Sequence, residues 1–395
     1  TLFPYTTLFR SPVFILNSAG WGQVDMVMTV LLCLLIVFAW KGKWQWVLPL
    51  FVLSVLVKPQ ALILGFLGLT VLIIAWIRNE KGERRAMLMG LVYSALVAGI
   101  ILIPFAIHQR PGWLFSLYAN TLSSYAYTTI NAANLYYLFS LNWVSVEQSV
   151  PVGVGILLML IALGWGAVLY RRWKAEKKGL PETILMALCV AFFLISTIIH
   201  APLSVIGYGA MAMAFMMVLP LYIRRQDIRL LPFLGAMLFI LLYTFGIKMH
   251  ERYLFPALAF LFFAYIVHRD RRILLLTGLL SFGMFVNEGI VLDNALRLGS
   301  ALGHLNNDTV WLADILAVGN LISVVITLWL ASDLCLSKET DRHKGFRPWL
   351  LRRVQPSANG PMDFKAPDKL PWTRVDGLLV LGITADAPVL VLGGQ

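Results

Sequence analysis

Apolar and polar positions along this 395-residue chain do not alternate at the period of a half-exposed helix. They separate into long apolar runs divided by short polar punctuation. Runs such as "VDMVMTVLLCLLIVFAW" (24–40), "AMLMGLVYSALVAGIILIPFAI" (86–107) and "ILLLTGLLSFGMFVNEGIVL" (273–292) have the length that crosses a hydrocarbon core of about 30 Å. The pattern predicts membrane helices near 24–40, 46–57, 61–77, 86–107, 152–170, 183–199, 203–223, 230–248, 254–267, 273–292 and 311–336. Two of them, 46–57 and 254–267, hold 12 and 14 residues, the length of half-helices or tilted core helices. The final apolar piece, 377–395, is interrupted by Asp386 and Pro388 and is not expected to cross. The expected fold is all-α: a polytopic transmembrane bundle of about 11 helices over 12–336. A basic cytoplasmic loop over 337–375 follows, then the start of a truncated or misread apolar segment over 376–395.

Composition excludes the soluble alternative. The chain is 59% hydrophobic and 13% charged, against roughly 25% charged residues in a soluble domain. A net charge of +12 would suggest nucleic acid in a soluble protein, but here the basic residues sit in short loops and report topology. Segments 41–45, 78–85, 171–182, 224–229, 268–272 and 337–375 hold 26 of the 32 Lys and Arg. The segments between them, around 58–60, 108–151, 200–202, 249–253 and 293–310, hold only Lys58, Arg110, Lys248, Arg252 and Arg297. By the positive-inside rule the first set is cytoplasmic and the second extracytoplasmic. Cys33, Cys189 and Cys335 fall in or at the end of apolar runs without metal-ligand spacing, so they read as small core residues.

The outer set carries the unusual chemistry. It contains "WGQVD" (21–25), "KPQ" (58–60), "NAAN" (131–134) and "KMHERY" (248–253). It also contains the longest loop, 108–151, rich in aromatics, which reads as a functional segment or as an interfacial Trp/Tyr belt. Each motif also has a plain reading. Asp25 caps the following helix, Pro59 ends one while Lys58 snorkels, Glu251 pairs locally with Arg252, and His250 is a satisfied interfacial histidine. Their shared face favours a site, because ionisable residues at membrane depth mark substrate paths. Lys58, Arg252, His250 and nearby helix starts suit an anionic headgroup. A carboxylate, Asp25 or Glu251, suits a general base on a hydroxyl, and loop aromatics suit a sugar ring.

"NSAGWGQVD", "KPQA", "NAANLYYL" and "KMHERYLFPAL", in this order, resemble the GT-C superfamily of polytopic glycosyltransferases. The nearest branch is bacterial homologues of the second mannosyltransferase of GPI-anchor synthesis, over about 14–335. The resemblance implies sugar transfer from a polyprenyl-phosphate donor to a glycan, lipid or protein acceptor at the outer face of a bacterial cytoplasmic membrane, usually with inversion. It implies that His250 and Arg252 hold the donor phosphate, with Lys58 beside them. It also implies that Gln23 and Asp25 position donor or acceptor; Trp21, Gln60, Asn131, Asn134, Glu251 and Tyr253 are the further positioning candidates. No resident cofactor is expected, a divalent metal is left open, and the bilayer and the lipid-linked sugar are the expected partners. A transporter or flippase of lipid-linked saccharides is the alternative, although no inverted repeat is evident.

The family's catalytic carboxylate lies in a first outer loop that has no counterpart before Trp21. "TLFPYTTLFRS" (1–11) matches one reading frame of a sequencing adaptor at every residue. The expectation is an artefact over 1–11 and an N-terminally truncated chain in which Asp25 is the remaining catalytic candidate.

Overall fold

Inside lipid a backbone must satisfy its own hydrogen bonds, so the apolar runs become helices. The computed structural model describes residues 11–79, 82–123, 126–298 and 307–336, with three short strands between 372 and 391. The expectations for 1–10, and for most of 337–395, lie outside the described residues. The helices are α1 (Pro12–Ile15, prolonged by a π-helical turn to Gly20), α2 (Asp25–Trp40), α3 (Trp44–Val57), α4 (Gly65–Arg78), α5 (Glu83–Ala106) and α6 (Trp113–Ser123). After these come α7 (Val152–Glu176), α8 (Leu180–Ile198), α9 (Leu203–Arg225), α10 (Leu231–Phe245), α11 (Phe255–His268), α12 (Arg271–Leu298) and α13 (Asn307–Ala331).

Eight helical stretches among the described residues have the length and composition to cross a membrane; counting α1 and α2 as one bent span makes nine. This is fewer than the eleven spans expected. Helices α3 and α11, with 14 residues each, reach about 21 Å at 1.5 Å per residue, short of a bilayer core. Helix α1 and its π turn run beside α12, with Ser11 Oγ 2.8 Å from Ser281 Oγ, before the chain bends by 119° into α2.

Helix α10 carries no polar face, and all 15 of its residues are buried, which makes it the pillar of the bundle. It packs on α9, α11 and α13. Helices α5, α8 and α12 expose apolar side chains such as Ile100, Phe105, Leu188 and Phe282, as a lipid-facing helix does.

The basic loops meet at one end. Arg224 grips Glu182 at 2.5 and 2.6 Å, Arg272 bridges Asp270 (2.6 Å) and Asp333, and Arg225 donates to the Cys335 carbonyl at 2.6 Å. The motifs of the other loop set meet at the far end. There, residues 126–150 form a folded insertion in which Tyr136 and Tyr137 are buried and Tyr136 Oη donates to the Phe245 carbonyl at 2.9 Å. Strand β1 (Thr129–Ile130) pairs in parallel with β2 (Met249–His250), and Val150 N–H donates to Ala201 O at 3.0 Å. The insertion therefore satisfies its backbone against the segments that follow α8 and α10. Where the start of an apolar segment was expected, β3 (Trp372–Val375), β4 (Leu378–Leu381) and β5 (Leu390–Val391) pair antiparallel.

Helices α7 and α8 approach closely through glycine: a Cβ built on Gly155 would lie 1.9 Å from Thr197 Oγ1, whereas one on Gly164 meets nothing within 4 Å. Gly155→Val is expected to lower Tm, at a cost of about 1–3 kcal/mol for overpacking, while Gly164→Ala leaves it unchanged. An unaltered melting curve for Gly155→Val would contradict this approach.

Candidate functional site

The site begins with a proline. Pro59 bars the preceding residue from helical geometry, so Lys58 is extended (φ −154°, ψ 120°) between α3 and a 3-10 turn, Pro59–Leu64. Its ammonium forms an ion pair with Asp25, the first residue of α2. Asp25 is fully buried and caps nothing; the cap position is Val24, and no side chain bonds there. Lys58 is equally far from snorkelling, with its side chain 16% exposed.

The other half comes from the link between α10 and α11. Strand β2 leads into a 3-10 turn, Glu251–Leu254. Here the Arg252 guanidinium donates to Glu251 Oε1 at 3.0 Å and lies 5.9 Å from the Trp21 ring centre, within cation–π range. The local Glu251–Arg252 pair is real, but Glu251 is 2% exposed, so it is a buried pair and not a surface one. Tyr253 joins the halves. Lys58 Nζ lies 5.6 Å from its ring, the His250 ring lies tilted against it with centres 5.1 Å apart, and Gln60 Nε2 donates to its carbonyl at 3.0 Å.

The structure therefore brings together Trp21, Asp25, Lys58, Gln60, His250, Glu251, Arg252 and Tyr253. It gives Asn131 and Asn134 different work. Asn131, at φ 55°, accepts from Asn142 Nδ2 and Trp143 Nε1, each at 3.0 Å. Asn134 accepts from the N–H groups of Tyr136 (3.1 Å) and Tyr137 (3.3 Å) and donates to Tyr243 O. These amides hold the insertion in shape. Gln23 contributes a backbone bond, its N–H donating to Asn17 O at 3.0 Å.

Two members were missed. Asn17 Nδ2 donates to Glu288 Oε1 at 3.0 Å and to Asp25 Oδ2 at 3.4 Å, and all three residues are fully buried. Glu288 lies within a stretch read simply as apolar; an ionisable residue inside a span was the available signal. Its neighbour Asn287 ties α12 to the insertion, donating to Asn131 O (2.8 Å) and accepting from Ala133 N–H (2.9 Å).

Three carboxylates (Asp25, Glu251, Glu288) thus face two cations (Lys58, Arg252). Burial, reinforced by Arg252 and Lys58, lowers the His250 pKa to about 3. It is a neutral imidazole at physiological pH, so it brings no charge of its own to the site. Burial also raises Glu251 above the usual carboxylate value against the pull of Arg252 and Lys58, and lowers Lys58 despite Asp25. Among the described residues no group of three or more His, Cys, Asp and Glu side chains is arranged to hold a metal ion. No family model, no curated protein and no solved structure matches the chain.

Asp25→Asn and Lys58→Met should each strand a buried partner and cost about 3 kcal/mol or more. The double substitution should cost clearly less than the two singles together. Additive losses in equilibrium unfolding would contradict the pair.

Proposed function

We propose that the protein is a membrane glycosyltransferase, first among candidates a mannosyltransferase, that uses a polyprenyl-phosphate sugar and works at the extracytoplasmic face of a bacterial plasma membrane. The observation that carries this reading is the Arg252 guanidinium. It is bound to Glu251 through one nitrogen and backed by Trp21, and its Nε is buried without a hydrogen-bond partner. A guanidinium with unused donors at the end of an apolar bundle suits a phosphodiester whose chain lies in lipid. Helix α6, whose Tyr118 Oη donates to the Val55 carbonyl near the end of α3 at 3.2 Å, exposes Phe115 and Leu117, an apolar surface for such a chain.

In the reaction this reading implies, the acceptor hydroxyl oxygen forms a bond to the anomeric carbon of the sugar. The bond from that carbon to the phosphate oxygen breaks, and the polyprenyl phosphate leaves with the electron pair. A carboxylate takes the hydroxyl proton; Asp25 is held by Lys58 as a salt and offers a candidate acceptor for it. Neutral His250 and the Tyr253 ring would position the donor, and Arg252 with Lys58 would stabilise the departing phosphate.

Binding the donor has to overcome the Glu251–Arg252 pair. A proton on Glu251 releases Arg252, and burial makes that proton easier to add. Donor affinity should therefore rise as pH falls, as the neutral form of Glu251 gains population.

A second reading, a transporter of lipid-linked saccharides, draws on Glu288 as a buried carboxylate in a membrane helix. Movement of the lipid across a liposome bilayer with no transfer to any acceptor would favour it.

The test is binding of polyprenyl-phosphate mannose, with the glucose and arabinose forms alongside, to the chain in lipid nanodiscs. Arg252→Ala should weaken binding at least tenfold and His250→Ala several-fold, while Glu251→Gln should bind tightly with a flattened pH profile. Unchanged affinity in Arg252→Ala and His250→Ala would remove the site.

A further inference from the structure

Asn17 and Glu288, bonded to each other, each hold a buried acceptor atom that lacks a donor among the described residues, as does Gln60 Oε1. Asn17 Nδ2 is fully engaged by Glu288 Oε1 and Asp25 Oδ2, but Asn17 Oδ1 and Glu288 Oε2 have no hydrogen-bond partner among the described residues. Both side chains are 0% exposed. Unsatisfied buried acceptors are costly and rare in a native structure, and where they cluster they indicate a missing group.

The chemistry of that group follows from the inventory. Asn17 Oδ1 calls for a donor, and Glu288 Oε2 accepts as a carboxylate or donates as a carboxyl, so a group that both donates and accepts answers either form. A phosphodiester has no proton to donate at neutral pH, and the carboxylates of Glu288 and Asp25 would repel it. The cations that suit a phosphate, Lys58 and Arg252, are engaged with Asp25 and Glu251. A group of vicinal hydroxyls fits the demand: neutral, and able both to donate and to accept.

We infer that Asn17 and Glu288 form the subsite for the hydroxyls of the transferred sugar, with Asn17 Oδ1 and Glu288 Oε2 each bonded to one hydroxyl. This rests on the reading of the protein as a binder of lipid-phosphate sugars and assigns the two ends of that ligand to separate groups. Trp21 stands between them in the chain, after the π-helical turn that carries Asn17 and against the Arg252 guanidinium. The π turn itself fits a functional placement, since such turns recur where a side chain has to be re-aimed.

The test uses the full chain in nanodiscs and two probes, a polyprenyl-phosphate hexose and the same polyprenyl phosphate without sugar. Wild type should bind the sugar-bearing probe at least tenfold more tightly. Glu288→Gln keeps an oxygen for Asn17 Nδ2 and removes a buried carboxylate, so its Tm should not fall. It should nonetheless lose the preference for sugar while its affinity for the sugarless probe stays unchanged. Asn17→Ser should show the same loss and serves if Glu288→Gln does not fold. Parallel weakening toward both probes would reveal a structural role and overturn the assignment. So would a preserved sugar preference in both variants, or a Tm increase with Na⁺ or Mg²⁺ that Glu288→Gln abolishes. A wild type that binds the sugarless probe without any sugar preference overturns this subsite and spares the phosphate reading; one that binds neither probe overturns both.

Discussion

A carboxylate with no exposure to water is costly unless a cation lies beside it, and in this bundle the Asp25–Lys58 ion pair supplies that constraint. It clips the start of α2 to the break before Pro59. Because Lys58 also sits over Tyr253, whose carbonyl is held by Gln60, three sequence-distant segments become one unit. Asn17 then links this unit to α12 through Glu288, and Asn287 one residue earlier links α12 to the buried insertion. Removing any one of these polar groups leaves its partner buried and unpaired, which makes the arrangement specific as well as costly.

Charge balance shapes what such a site can accept. Lys58 and Arg252 are each already paired with a carboxylate, Asp25 and Glu251, before any phosphate arrives. Under the proposed function, entry of a donor would be an exchange in which a phosphate oxygen replaces a Glu251 oxygen on Arg252, made easier by the neutral form of Glu251. His250, held neutral by burial and by its two basic neighbours, contributes ring contact without charge. The opposite end of the bundle is built differently. There Arg224 and Arg272 are each locked to carboxylates, and Arg272 lies 4.8 Å from the Trp329 ring centre, the marks of a structural clasp.

Much of the architecture was legible in the sequence because lipid imposes a simple rule: apolar runs of sufficient length become helices, and basic loops share a face. That rule grouped Asp25, Lys58 and the His250–Arg252 turn at one end. It could not reveal that Asp25 and Lys58 pair, because pairing depends on the rotation and tilt of α2 and α3 and not on their polarity. Glu288 escaped because one carboxylate barely changes the mean hydropathy of a 28-residue helix. Asn131 and Asn134 looked like ligand residues because polar side chains in an aromatic loop are conspicuous. Their amides are consumed by backbone that must be satisfied once the insertion is buried. The short α3 and α11 were expected to be unusual, and both border the site: α3 ends at Lys58, and α11 starts after the Glu251–Leu254 turn.

The central claim is that one buried polar cluster receives a lipid-linked sugar phosphate. The most direct measurement is an electron cryomicroscopy structure of the chain in nanodiscs with a polyprenyl-phosphate hexose. The expected result is ligand density with its phosphate against Arg252 and its sugar toward Asn17 and Glu288, and with the Glu251–Arg252 pair opened. Density for the headgroup at the Arg224–Arg272 end, or a Glu251–Arg252 pair left intact beside a bound donor, would contradict it.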